Sequence, residues 1–165
     1  MTPDKEKPLF EYMPLGKKMA RITKSYYGAL SKRAEPFGVD RHFATLVTIA
    51  NTEKKCTQQY LSDLLNIDKV AMVRVLDYFF DKGMIIRVVN PEDRREHLIQ
   101  LTAKAKKIVP KIRIEIAEMN KIALNGLNKK EQELFRGFIN TIIKNLENLP
   151  VNKVVINLKT TGKKS

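Results

Sequence analysis

The residues with most chemical capacity in this chain are cationic, and they fall in two places. Lys69-Val-Ala-Met-Val-Arg74 opens an amphipathic stretch, and Asp93-Arg94-Arg95 stands between two β-prone runs, Met84 to Val89 and His97 to Leu101. Lysine and arginine are all donor, and the planar guanidinium fork matches phosphate oxygens and the paired acceptors of guanine. The chemistry in view is recognition of an anion. Bond-breaking chemistry finds little support. His42 and His97 are the only histidines, and neither belongs to a Cys/His cluster with metal spacing. Gly162-Lys163-Lys164 lacks the upstream glycine and following Ser/Thr of a phosphate-binding loop. No nucleophile, base and orienting group line up as a set. The sequence therefore reads as a non-enzyme without metal or cofactor.

Composition points the same way. The chain has 165 residues, 43% of them apolar and 30% charged, enough for one domain of ordinary size with an appendage. Its 31 Lys+Arg against 18 Asp+Glu leave a formal charge of +13. Such an excess attracts polyanions, nucleic acid first and an anionic membrane surface second. No apolar run approaches the roughly 20 residues of a membrane-spanning helix, and the opening residues show no secretory segment, so a cytoplasmic protein is expected. The single cysteine, Cys56, excludes an internal disulfide.

These cations need elements to position them. Apolar residues recur at helical intervals from Leu9 to Ala34, and Pro36 and Gly38 end that helix. Asp40 can cap a second helix that buries Phe43, Leu46, Val47 and Ile49 or Ala50. Thr57 can cap a short helix, Gln58 to Leu65, with Leu61, Leu64 and Leu65 inward. After the turn Asn66-Ile67-Asp68 a further helix runs from Lys69 to Lys82, with Val70, Val73, Leu76 and Phe80 inward and Gly83 as its stop. Two short helices joined by such a turn form a helix-turn-helix. The strands 84–89 and 97–101 with the turn 90–96 add a hairpin directly after it. Thr102 caps a long helix to about Leu124 that Pro110 must kink or open, and Lys129 to Leu149 forms the last helix before Pro150. The fold expected is mainly α with a small β-hairpin wing: a winged helix-turn-helix whose N- and C-terminal helices form a dimerisation region. The corresponding segments are 1–36, the N-terminal helix; 37–101, the DNA-binding lobe; 102–149, the C-terminal dimerisation helices; and 150–165, a basic tail in which Val154 to Leu158 reads as either strand or linker.

Asp93-Arg94-Arg95 at the hairpin tip, followed by Leu98-Ile-Gln-Leu-Thr102 and a lysine-rich helix start, resembles the wing signature of the MarR family of bacterial transcriptional regulators. Asp77, Gly83 and Arg87 fall where that family's pattern would put them, and the order of elements is similar from about Leu9 to Leu149. The resemblance implies a homodimer on double-stranded DNA that acts most often as a repressor. It also implies that Asp93 orients Arg95, which enters the minor groove. A narrow A·T-rich minor groove concentrates negative potential and favours a guanidinium there on physical grounds as well. An ordinary solvated turn, with Asp93 and Arg95 as a surface ion pair, is the plain alternative.

On the recognition helix Lys69, Ala71, Met72 and Arg74 are expected to face out and Val70 and Val73 to join the core. Arg74 is the candidate for guanine, Ala71 or Met72 for a thymine methyl. The chain departs here from its relatives, which often carry Ser or Thr where it has Val70, Ala71 and Val73. Thr57, Gln58 and Gln59 are candidates for phosphate contacts or plain surface. Leu134, Phe138, Ile142 and Leu146 are the candidate dimer stripe, since such wide apolar faces usually find a second chain. A small aromatic or phenolic effector is a further implication of the resemblance, with Tyr12, Tyr26, Tyr27, Arg41 and His42 able to line its pocket or simply to pack. Cys56 is either incidental or a redox-active thiol whose pKa Lys54 and Lys55 depress. The competing readings are an architectural or RNA-binding winged helix without sequence choice, and a protein-interaction module.

Overall fold

The computed structural model of the chain describes residues 13–39, 42–52 and 55–150. It divides into two compact units. One is Ala29–Glu118, and the other combines the chain up to Gly28 with the chain from Met119 onward.

Helix α1 (Leu15–Ala34) enters the first of these units with Leu30 and Ala34 buried. A 3-10 turn at Glu35–Phe37 follows, and Gly38 closes it at φ 67°, a left-handed conformation open to glycine. Then come α2 (Phe43–Asn51), α3 (Gln58–Leu64), α4 (Lys69–Asp81), the strands β1 (Ile85–Val89) and β2 (His97–Leu101), and α5 (Ala103–Ala123), which begins in this unit. The fold is a winged helix: mostly helical, with one antiparallel hairpin in which Ile85 faces Leu101 and Val89 faces His97. Phe43, Leu46, Leu61, Met72, Leu76 and Phe79 are among its fully buried side chains.

Local chemistry explains why the helices start and stop where they do. Thr57 Oγ1 accepts from the Tyr60 N–H and caps α3, and Asp68 Oδ1 accepts from the Ala71 N–H and caps α4. Between them Asn66 takes the left-handed conformation at φ 49°. The buried Ser62 donates to the Ile67 carbonyl at 2.5 Å, while the Ile67 N–H donates back to the Ser62 carbonyl, so the turn is locked from both sides. Helix α4 ends in a Schellman arrangement: Gly83 N–H donates to the Phe80 carbonyl and Met84 N–H to that of Phe79. The Thr102 hydroxyl donates to the Gly83 carbonyl at 2.8 Å and so ties the start of α5 to that same turn.

Helical phase is where the structure departs from expectation. Met72, Val75, Leu76 and Phe79 form the buried face of α4, with Val70 62%, Val73 36% and Phe80 50% exposed. Met72 thus belongs to the core, and Val70 and Val73 do not. The helix opens with four apolar residues in a row, so periodicity alone does not fix its phase. The phase is set by three long apolar side chains, Met72, Leu76 and Phe79, which lie on one face with Val75 and are fully buried. On α3, Leu64 likewise turns outward. Proline 110 lies inside α5, which is one helix from Ala103 to Ala123. Asp40, Lys54 and the segment Val154 to Leu158 lie outside the described residues.

In the other unit, Tyr26 on α1 donates its hydroxyl to Asn120 Oδ1 at 2.7 Å. Asn128 caps α6 (Lys129–Glu147) through a reciprocal box: its Oδ1 accepts from the Glu131 N–H, and Glu131 Oε2 accepts from the Asn128 N–H. None of the residues of α6 is buried, and Leu134, Phe138 and Leu146 are at least half exposed, with Ile142 intermediate.

Candidate nucleic-acid interface

Turning α4 to bury Met72 presents Lys69, Val70, Val73 and Arg74 on the opposite side, with Ala71 between the two faces. Further along the helix Asp77 meets Arg87 of β1, Nη2 to Oδ1 at 2.5 Å, and the Arg87 guanidinium also lies 5.6 Å from the Phe80 ring centre. The sharp turn at Gly83 is what folds residues ten apart back beside one another. As an exposed ion pair this link adds about 0 to 1 kcal/mol at most. Its larger consequence is geometric, because it joins α4 to the first wing strand.

The second strand is fastened from the other side. Ile99 N–H donates to the Cys56 carbonyl at 2.7 Å, and Thr57 forms a single antiparallel bridge with Leu98. The start of α3 is thereby held against the hairpin. A groove of about 580 Å³ results, lined by Thr57, Gln58 and Gln59 from the start of α3, Val73 and Asp77 from α4, Arg87 from β1, and Arg95, Glu96, His97 and Ile99 from the wing. The structure thus brings three sets of candidate residues, widely separated along the chain, around one concavity. Gln59 already donates its amide to Asp63 Oδ1 at 2.6 Å.

The wing tip is a built turn. Asp93 Oδ1 accepts from the backbone N–H of Arg95 at 2.9 Å, and the Asp93 carbonyl accepts from the Glu96 N–H. Asp93 therefore shapes the turn through the backbone of Arg95, a different bond from the side-chain ion pair expected of it. Asn90, buried to 2% exposure, accepts from the Glu92 N–H, and Glu92 pairs with Lys55 at the approach to α3. Arg94 and Arg95 project as exposed side chains from this braced loop. Nothing in the spacing of the sequence singled out Asn90 or the Lys55–Glu92 pair, since both depend on the hairpin folding back.

Cys56 is buried, and burial pushes its thiol up from its ordinary pKa against a smaller downward pull from Thr52. Lys55 is engaged by Glu92, and Lys54 lies outside the described residues. This environment opposes a reactive thiolate. Among the candidate effector residues, Tyr26 and Tyr27 stand edge to face at 5.8 Å in the terminal unit. His42, in the winged unit, packs at a tilt against Tyr78 with ring centres 5.2 Å apart. Tyr12 and Arg41 lie outside the described residues. Among the described residues no cluster of His, Cys, Asp and Glu has the form of a metal site, and no helix is long and apolar enough to cross a membrane.

Residues 40–96, which span α4 and reach the wing tip, match the MarR family. The fold is similar to the transcriptional regulator PA3341, at 26% identity over 82% of this chain and 100% of that one, with a TM-score of 0.73. It is similar also to a MarR transcriptional regulator from Methanosarcina mazei Go1, at 25% identity over 82% and 98% of the two chains, TM-score 0.74. A MarR-family regulator from Listeria monocytogenes, complexed with a 26mer DNA, shares the fold at 20% identity over 81% and 89%, TM-score 0.75.

Proposed function

Since this chain is a winged-helix protein of the MarR family of transcriptional regulators, we propose that it binds double-stranded DNA as a homodimer and represses the genes beside its site. Lys69, Val70, Val73 and Arg74 enter the major groove, and Arg95 reaches the adjacent minor groove. Thr57, Gln58 and Gln59 lie along the phosphates between, where Arg94 adds charge. The observation that carries this reading is the single groove shared by α3, α4 and the wing, with Arg95 on a turn that Asp93 and Asn90 brace. A braced arginine loses less freedom on docking than one on a free loop. That the Listeria monocytogenes relative was crystallised with DNA supports the same partner.

The exposed stripe Leu134, Phe138, Ile142 and Leu146 supports the dimer, because an apolar helix face of this width is costly to leave in water. Two-fold symmetry then sets two recognition helices roughly 34 Å apart and selects a near-palindromic site. A small aromatic effector, as the family resemblance implies, would release the DNA only to the extent that it prefers a dimer with misplaced helices. The function needs no catalysis, metal or cofactor, and its place is the cytoplasm, with the chromosome.

The test is selection of bound fragments from genomic DNA at near-physiological salt, with Arg95→Ala in parallel. An inverted repeat enriched by the wild type and bound about tenfold more weakly by the variant, with a salt slope smaller by about 1, is the expected result. Uniform recovery of all fragments, lost as salt rises, would replace this reading with that of an architectural or RNA-binding protein using its +13 charge without sequence choice.

A further inference from the structure

Val70 and Val73 stand outside the buried face of α4. Both are on the exposed face of α4, at 62% and 36% exposure, while Met72, Val75, Leu76 and Phe79 supply the core contacts of that helix. Positions three apart on a helix bring their Cβ atoms to about 5–6 Å, so the two valines make one patch. The outward side chains around them are Lys69, Arg74 and Asp77, and Asp77 is taken by Arg87. The first two turns of α4 therefore expose cations and apolar methyls, but no Ser, Thr, Asn or Gln that would read a base edge by neutral hydrogen bonds. Lys69 and Arg74 flank the patch with positive charge suited to a phosphate backbone, and Arg95 borders the adjoining groove, in which Arg87 is paired with Asp77 and Glu96 is a further acid.

From these features we infer that Val70 and Val73 are specificity-determining residues that recognise the C5-methyl groups of thymine in the major groove. This rests on the DNA-binding function proposed above. The thymine methyl is the apolar group that a base pair presents there, and the N-terminal residues of a recognition helix are the ones that approach base edges. Base steps of 3.4 Å on each strand place methyls of neighbouring or alternate pairs within reach of two side chains 5–6 Å apart. Valine suits the task because branching at Cβ leaves little rotamer freedom to lose on contact. A hydrogen-bond donor of adenine or cytosine held against the same patch would be desolvated without a partner, so the patch rejects as well as accepts. Arg74 remains available to guanine or phosphate beside it.

The experiment uses the full chain and a duplex enriched by it from a randomised pool, compared with the same duplex carrying deoxyuridine for every thymine. Deoxyuridine lacks only the methyl. The expected result is a loss of about fourfold in affinity for each methyl contacted, and the doubly substituted Val70→Ala, Val73→Ala protein should bind the two duplexes within about twofold of each other. Both positions are exposed and alanine favours helix, so a thermal melt should confirm that the variant is folded. Equal binding of thymine and deoxyuridine duplexes by the wild type overturns the inference, as does a full methyl effect persisting in the variant; either leaves the proposed function standing. Failure to enrich any duplex overturns the proposed function, and the inference with it.

Discussion

The unit Ala29–Glu118 and helix α6 obey the same rule of burial and end in opposite conditions. In the first, α4 hides Met72, Val75, Leu76 and Phe79 against its own chain. In the second, α6 leaves Leu134, Phe138, Ile143 and Leu146 at least half exposed and buries nothing. Both helices are amphipathic and both are capped by a side chain that closes their first turn, so the contrast is not one of helix quality. It lies in whether the apolar face has somewhere to go. A region that completes its own core can offer its outer surface to a ligand, whereas one that leaves its apolar face in water calls for another surface.

The sharpest way to break this comparison is to truncate an aromatic in each region. Phe79→Ala should cost about 3–5 kcal/mol in urea unfolding. Phe138→Ala, 62% exposed, should cost the isolated protomer well under about 1 kcal/mol; equal losses at low protein concentration would erase the distinction. If the proposed dimer forms through this face, Phe138→Glu should next weaken self-association about a hundredfold or more in sedimentation equilibrium, since the interface would have to bury a charge, and an unchanged oligomeric state would count against that interface. The two caps supply a subtler contrast. Asp68→Ala and Asn128→Ala should each destabilise by about 1 kcal/mol, but only Asp68→Ala loosens the turn into α4 and should also weaken DNA binding in a titration.

The smallest effect is one of pH. Cys56, in the winged unit, and Tyr26, in the other, both have acidities lowered chiefly by desolvation, with Tyr27 adding to the effect on Tyr26. A folded-state pKa raised above the unfolded one gives stability that is complete below the unfolded value and is lost as pH rises through the folded one. Melting temperature should therefore fall on the alkaline side, where a thiol and then a phenol ionise on unfolding. Cys56→Ala should flatten the earlier part of that decline and Tyr26→Phe the later part. A decline untouched by either substitution would assign it to other groups.

Much of the winged fold was legible because its punctuation is local. Thr57, Gly83 and Thr102 act on backbone groups within three or four residues, so their types at those positions announce the helix ends wherever the chain is read. The hairpin was legible for a similar reason, as two β-prone runs around a polar turn. The inward face of α4 was not. Val70, Ala71, Met72 and Val73 are all apolar, and only the space left by neighbouring elements decides which of them it takes. Nor was the bond from Asp93 to the Arg95 backbone legible, since the same two residues support a side-chain pair equally well on paper.

The sequence by itself determined the order of the α-helices and strands among the described residues, the excess of cations and the residue types at the wing tip, because propensity, capping and charge are properties of neighbours along the chain. Tertiary structure alone decided that Met72 is core while Val70 and Val73 face outward, that Asp77 meets Arg87, and that Thr57, Val73 and Arg95 border one groove. Those outcomes depend on packing between segments far apart in sequence, where volume and register choose among side chains that local chemistry leaves equivalent.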